Sequence, residues 1–434
     1  MAYVGTPPSE THGFSQIKIS GWRQFGDLEI DFHKRLTILT GANATGKSTL
    51  LGLLARHFSW DRRYSGSPLR RRDRDGNWTA VSNRSANIVL AMQDGWVGFG
   101  SLTYGNGATS SLELPTELGS GTQQYDVLLR EQREVVGVYL ASHRLASGNY
   151  NRVESVPTSF GSSDEVLESF IAQLRSRLAG EWTQKTPMLV LKETLLASAA
   201  WGQTSTDTLD QNAVAAEIWT KFQDVLRAIF PETLGFVRLI ARTPEVVIET
   251  STGEFLLDEA SGGLTALVEV SWQIFLRSLG HKHFTVLLDE PENHLHPTLQ
   301  RDIMPGLLRA FPTVQFIVAT HSPFVVTATP DSAVYALDYD DARQVFARKL
   351  DYANKAGSAE ETLTRVLGLD STMPRWAEST LDRILEKYLS SHLDASKVEQ
   401  LRTELEQMGL MGEFAPTLAM LAKHQRELSS SDET

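Results

Sequence analysis

Cysteine is absent from the 434 residues. That excludes disulfides, a thiolate metal site and a cysteine nucleophile, and it suits a reducing cytoplasm. No run of about eighteen apolar residues occurs, so no transmembrane helix is expected. The opening MAYVGTPPSETHG has no basic stretch followed by an apolar one, so it does not read as a secretory signal. A basic excess is lacking too: 41 Lys and Arg stand against 53 Asp and Glu, a formal charge of −12. A dedicated duplex-coating protein is more often basic, so any nucleic-acid contact must be a local patch. Also missing is a sustained heptad pattern, which excludes a long coiled coil. What is present, 41% hydrophobic and 22% charged residues, is ordinary for a globular chain of two or three domains.

The most informative stretch is LTILTGANATGKSTLLGLL, residues 36–54. A β-branched apolar run, Leu36 to Thr40, leads into a glycine loop and then an apolar helix pattern from Lys47. Gly41, Asn43, Ala44, Thr45 and Gly46 form the loop, and Lys47, Ser48 and Thr49 open the helix. The two glycines let the backbone curl until its N–H groups point inward at phosphate oxygens. The helix adds its positive N-terminal end. Lys47 is expected on the β- and γ-phosphates, and Ser48 on Mg²⁺.

Two alternating segments, GFSQIKISGW and GDLEIDF, precede this loop and read as strands. Residues 59–86 are a polar insertion carrying Arg62, Arg63, Arg70, Arg71, Arg72 and Arg74 among aromatics. Such a mix grips nucleic-acid backbone and stacks bases. The other reading is a solvated loop paired with its own aspartates. ANIVLAM and VGFGSLTYGNGATSSLEL read as strands, with Asn106-Gly107 as a hairpin turn. VVGVYLASHR reads as a buried strand with His143 and Arg144 at its tip. Residues 164–230 have helical periodicity.

Three further motifs follow. In ASGGL, Ser261, Gly262 and Gly263 stand before an apolar helix and make a second anion site, or simply a serine cap. In FTVLLDEPENHLHP the apolar run suits a central parallel strand. Its tip offers Asp289 for the metal shell and Glu290 as general base. Glu292, His294 and His296 lie between two prolines and read as a loop at a dimer interface rather than a zinc site. VQFIVATHSPFVV ends a buried strand in Thr320-His321, and His321 is the candidate partner for the γ-phosphate and attacking water.

GANATGKST, ASGGL, LLDEPENHLHP and IVATHSP, in that order, resemble the Walker A, signature, Walker B and switch-histidine motifs of the ABC-type ATPases. The EPENHLHP form and the GWRQFGDLEIDF opening, where Arg23 is counted with the nucleotide-binding residues, resemble the stand-alone AAA/OLD-like and RecF/SMC-like members. The resemblance covers about residues 14–335. It departs from the pattern twice. No clear Q-loop glutamine is present; Gln93 and the His143-Arg144 loop are the candidates. The signature also ends in Leu264 rather than a polar residue.

The resemblance implies ATP and Mg²⁺ as cofactors. It also implies a homodimer or higher oligomer in which Ser261 and Gly263 of one subunit complete the site of the other. The tail, GLDSTMPRW especially, is similar to those of ATPases paired with separately encoded effectors in antiphage systems such as Septu and PARIS. A repair ATPase acting on DNA ends and an OLD-like nuclease are the alternatives. The expected fold is α/β: an ABC-type P-loop nucleotide domain with a mixed sheet and a β-rich first lobe. The expected division is a leader at 1–13, a first lobe at 14–160 and a helical lid at 161–232. A second lobe at 233–335 and a helical tail at 336–434 complete it.

Overall fold

A computed structural model describes residues 13–65, 69–72, 78–81, 92–93, 95–115, 124–142, 150, 152–157, 161–203, 211–351, 358–369, 371–389 and 394–431. The leader, most of ANIVLAM, Arg74 and the His143-Arg144 loop lie outside them. The chain divides into two compact units, Met1–Gly368 and Leu369–Thr434.

The first unit is built on a six-stranded sheet. Its order is Gly137–Leu140, Thr285–Asp289, Gln315–Ala319, Leu36–Gly41, Ala333–Tyr339 and Val345–Lys349. The first five strands run parallel and the last is antiparallel. The three middle strands are buried throughout, as continuous apolar runs in a parallel sheet must be. Successive side chains point to opposite faces. Ile38, Val286, Phe316 and Val334 therefore enter one core, and Leu39, Leu287, Ile317 and Tyr335 enter the other.

The second core is closed by the Lys47–Ala55 helix and an antiparallel sheet. That sheet runs Leu128–Arg130, Thr109–Pro115, Trp96–Tyr104, Phe14–Ser20 and Asp27–Asp31. The Asn106-Gly107 turn joins two of its strands; Asn106 Oδ1 accepts the Ala108 N–H at 3.0 Å, and Gly107 has φ 81°. Gln93 pairs along Trp96 in the same sheet.

Two boundaries differ from expectation. The helices Ser163–Leu178, Pro187–Gln203 and Ala213–Ile229 are not a separate lid. Phe170, Leu191, Ile218, Phe222 and Leu226 share a single core with Val286 and Phe316. Their apolar faces are wide enough to cover the sheet together with the Gly262–Gly280 helix, at about 1.5–3 kcal/mol for each large side chain buried. Nor does a helical tail begin at residue 336. AVYALDY and VFARK are strands added to the edge of the sheet, and the second unit starts at Leu369.

That unit consists of the helices Arg375–Leu389, Ala395–Gln407 and Phe414–Ser431. Ala377, Ile384, Leu401, Leu405 and Leu421 form its own core. Among the described residues, no helix is long and apolar enough to cross a membrane.

Candidate nucleotide site

Gly41, Asp289 and Ala319 end three neighbouring parallel strands on one edge of the sheet. The carboxyl edge of an open α/β sheet is where ligands are bound. At this edge the glycine loop turns. Gly41 has φ 130°, Ala44 66° and Gly46 96°. A Cβ on Gly41 would lie 2.3 Å from the Leu337 carbonyl oxygen, and one on Gly46 2.5 Å from Phe25 Cζ. Both glycines are thus required by space as well as by conformation. Thr45 Oγ1 donates to the Ala42 carbonyl at 2.9 Å, and the Tyr339 hydroxyl donates to the Ala44 carbonyl at 3.0 Å. Asn43 is exposed at the loop tip, and the Thr49 N–H donates to the Gly46 carbonyl at 3.0 Å in the first helical turn.

Lys47 is 5% exposed. Its ammonium donates to the carbonyls of Gly41 and Ala42, both at 3.0 Å. Burial lowers its pKa to about 8, opposed by the carboxylates of Glu290, Asp289 and Glu292.

Asp289 is 3% exposed. Ser48 Oγ donates to its Oδ1 at 3.1 Å, and the Tyr139 hydroxyl to its Oδ2 at 3.5 Å. Burial raises the Asp289 pKa to about 6, against the Ser48 hydrogen bond, which lowers it. Burial also pushes the Tyr139 hydroxyl far above its ordinary value, so Tyr139 stays a donor. A hydroxyl and a carboxylate side by side are hard oxygen donors, the set Mg²⁺ takes.

Glu290 follows with φ 47°, a left-handed conformation that costs a non-glycine residue about 1 kcal/mol. Its N–H is held by the Ala319 carbonyl at 2.8 Å. Asn293 Nδ2 donates to Glu290 Oε2 at 2.9 Å and to the Ser142 carbonyl at 3.0 Å. His321 Nε2 lies 3.9 Å from Glu290 Oε1. Burial, and then the Lys47 charge, lower the His321 pKa, which favours a neutral imidazole at pH 7.

The interface-loop reading of PENHLHP missed Glu292. Its Oε1 accepts from Thr320 Oγ1 at 2.8 Å and from the N–H groups of His321 and Ser322 at 2.7 and 3.1 Å. No spacing rule in the sequence signals this, because the partners are 28 to 30 residues away. His296 caps the Pro297–Ala310 helix through Nδ1. Among the described residues, no three His, Cys, Asp or Glu gather to hold a metal.

Ser261 caps the Gly262–Gly280 helix by accepting the Leu264 N–H at 3.4 Å. Ser261 and Gly262 are exposed, and Gly263 packs on the segment from His294 to Leu299. Among the described residues, no hydrogen bond joins Ser261–Gly263 to the Gly41–Ser48 loop. Arg23 has φ 54° and lies over the Tyr64 ring at 5.7 Å. The next two residues, Gln24 and Phe25, wall the glycine loop at Gly46. Arg62 and Arg63 are exposed, and the backbone of Arg70–Arg72 forms a small hairpin strand with Trp78–Val81.

Two family models match the halves of this site. One, described as "AAA domain", covers residues 16–74. The other, "AAA domain, putative AbiEii toxin, Type IV TA system", covers 248–327. The Septu protein PtuA of Bacillus thuringiensis is 27% identical over 213 residues, 45% of this chain and 52% of that protein. The chain is similar to ABC-like ATPases, those of antiphage defence systems among them. The chain spans about half the length of that PtuA. A "Retron Vc95 probable ATPase" of Vibrio cholerae is 41% identical over 58 residues, 13% of this chain and 11% of that one. Among solved structures, the SMC head domain from Thermotoga maritima aligns with a TM-score of 0.41 at 14% identity. That alignment covers 78% of this chain and 99% of the other.

Proposed function

We propose that this ATPase is a homodimeric, ATP-driven switch that controls a separately encoded effector in antiphage defence. One observation carries the reading: Lys47, Ser48, Asp289, Glu290 and His321 converge from three strand tips on one glycine loop. Lys47 binds the β- and γ-phosphates, and the Gly41–Gly46 backbone, Asn43, Ala44, Thr45 and Thr49 cradle them, with Arg23 beside the loop. Ser48 and Asp289 would hold Mg²⁺, which supplies neutralisation of phosphate charge when bound. Glu290 takes the proton of the attacking water. His321 orients that water and the γ-phosphate. ATP and water become ADP and phosphate.

Ser261 and Gly262 are exposed, and among the described residues neither they nor Gly263 is hydrogen-bonded to the loop of its own subunit, which supports a role toward the loop of a second subunit. ATP then closes the dimer and hydrolysis opens it. The PtuA likeness supports the defence role, and the cytoplasm is the compartment that fits it. The Arg62, Arg63 and Arg70–Arg74 insertion is the candidate contact for nucleic acid.

Mixing variants tests the composite site. Ser261→Arg alone should bind ATP and fail to hydrolyse it, and Lys47→Ala alone should bind it about a hundredfold more weakly and fail to hydrolyse it. Mixed dimers carry one undamaged site, so some hydrolysis should return. Verified mixed dimers without activity would sink the trans arrangement. Because Leu369–Thr434 has its own core, its deletion should leave ATP hydrolysis within about threefold and abolish effector control. Loss of the first unit's folding on deletion would make this segment structural instead. The full chain alone should not cut DNA or RNA; cleavage with Mg²⁺ alone would replace this reading with the nuclease one.

A further inference from the structure

We propose that Glu292 is a positioning residue that locks the strand tip carrying Asp289 and Glu290 to the loop carrying His321. The inference rests on the ATPase reading of the site. Three donors converge on Oε1 of Glu292: the Thr320 hydroxyl at 2.8 Å, the His321 N–H at 2.7 Å and the Ser322 N–H at 3.1 Å. Its other oxygen, Oε2, is buried and without a hydrogen-bond partner. Burying a carboxylate oxygen that nothing solvates is costly. The compensation lies on Oε1, where a charged acceptor makes each bond about twice as strong as a neutral one.

The loop has other tethers. Thr40 Oγ1 donates to the Thr320 carbonyl at 3.1 Å, and Ser322 Oγ donates to Gln300 Oε1 at 2.7 Å. These fix the residues on either side of His321. Among the described contacts, Glu292 holds the His321 backbone itself. It follows Glu290 by two residues, so the general base and the histidine are tied through one carboxylate. Asn293 steadies Glu290 from the same turn. Removing Glu292 should therefore free the histidine locally and leave the sheet intact.

The test uses the full chain with Glu292→Ala and Glu292→Gln. Three quantities are read: kcat and KM for ATP, affinity for a fluorescent non-hydrolysable ATP analogue, and amide exchange in peptides spanning 315–326. Glu292→Ala should lower kcat about a hundredfold, the scale of a misplaced catalytic group. KM and analogue affinity should stay within about twofold, since Lys47 and the glycine loop are untouched. Exchange should quicken at His321 and Ser322 alone. Glu292→Gln keeps an acceptor oxygen, so it should restore exchange protection and at least about a tenth of kcat.

Wild-type kcat and exchange in Glu292→Ala would overturn the proposal. So would faster exchange throughout the sheet in both variants, because that marks a merely structural residue. If the unmodified chain does not hydrolyse ATP, the ATPase reading fails by itself. Exchange at residues 320–322 then still decides whether Glu292 holds the loop.

Discussion

Lys47→Ala should weaken ATP binding by about a hundredfold, or ~3 kcal/mol, the worth of one or two hydrogen bonds to a charged group. The ammonium is the only cation of the glycine loop itself, and its hydrogen bonds to Gly41 and Ala42 hold it at the loop's mouth. Burial has lowered its pKa to about 8, which adds a pH signature. The phosphate requires the protonated form. Below about pH 8 the free protein already carries that proton. Above it, binding must include proton uptake, so affinity should fall by up to about tenfold per pH unit. Lys47→Ala should lack this fall. Calorimetry from pH 6.5 to 9.5 on both proteins, with circular dichroism to confirm folding, reads both effects. Equal affinities at pH 7 would remove Lys47 from the phosphate site.

Much of the fold was legible because a few stretches satisfy several local rules at once. In residues 36–54 the apolar run, the two glycines and the helix pattern each demand the neighbour they have. LLDE and IVAT end apolar runs in polar residues, and parallel pairing then brings their tips to Gly41. Contacts made by single side chains across the fold were not legible. Tyr139 meets Asp289, and Tyr339 meets Ala44, from strands 150 and 295 residues away. Glu292 reads as one more acid in a polar loop until the strand beside it is placed. The layer of three helices was mistaken for a lid because periodicity shows which face is apolar but not what covers it. AVYALDY was lost to the tail for a related reason. It is an interior strand held between Leu36–Gly41 and Val345–Lys349, and its local pattern does not name the distant segment it pairs with.

Glu290→Gln should bind ATP normally and hydrolyse it about 10²–10⁴-fold more slowly, the span attributed to a positioned general base. The substitution removes the proton acceptor and little else. Gln keeps an oxygen for the Asn293 amide. The backbone bond to Ala319 survives, as does the Ser48–Asp289 pair. With binding intact and turnover blocked, the closed state should accumulate. Light scattering with ATP and Mg²⁺ should then show dimer for Glu290→Gln at concentrations where the unmodified protein cycles back to a lower mass. Single-turnover phosphate release gives the chemical step directly. If release is unchanged, the base lies elsewhere, and His321, 3.9 Å from Glu290, becomes the group to replace. If release is slow but no dimer accumulates, Glu290 remains the base and ATP-driven closure is wrong. The two measurements thus separate the chemistry of the site from the assembly it is proposed to control.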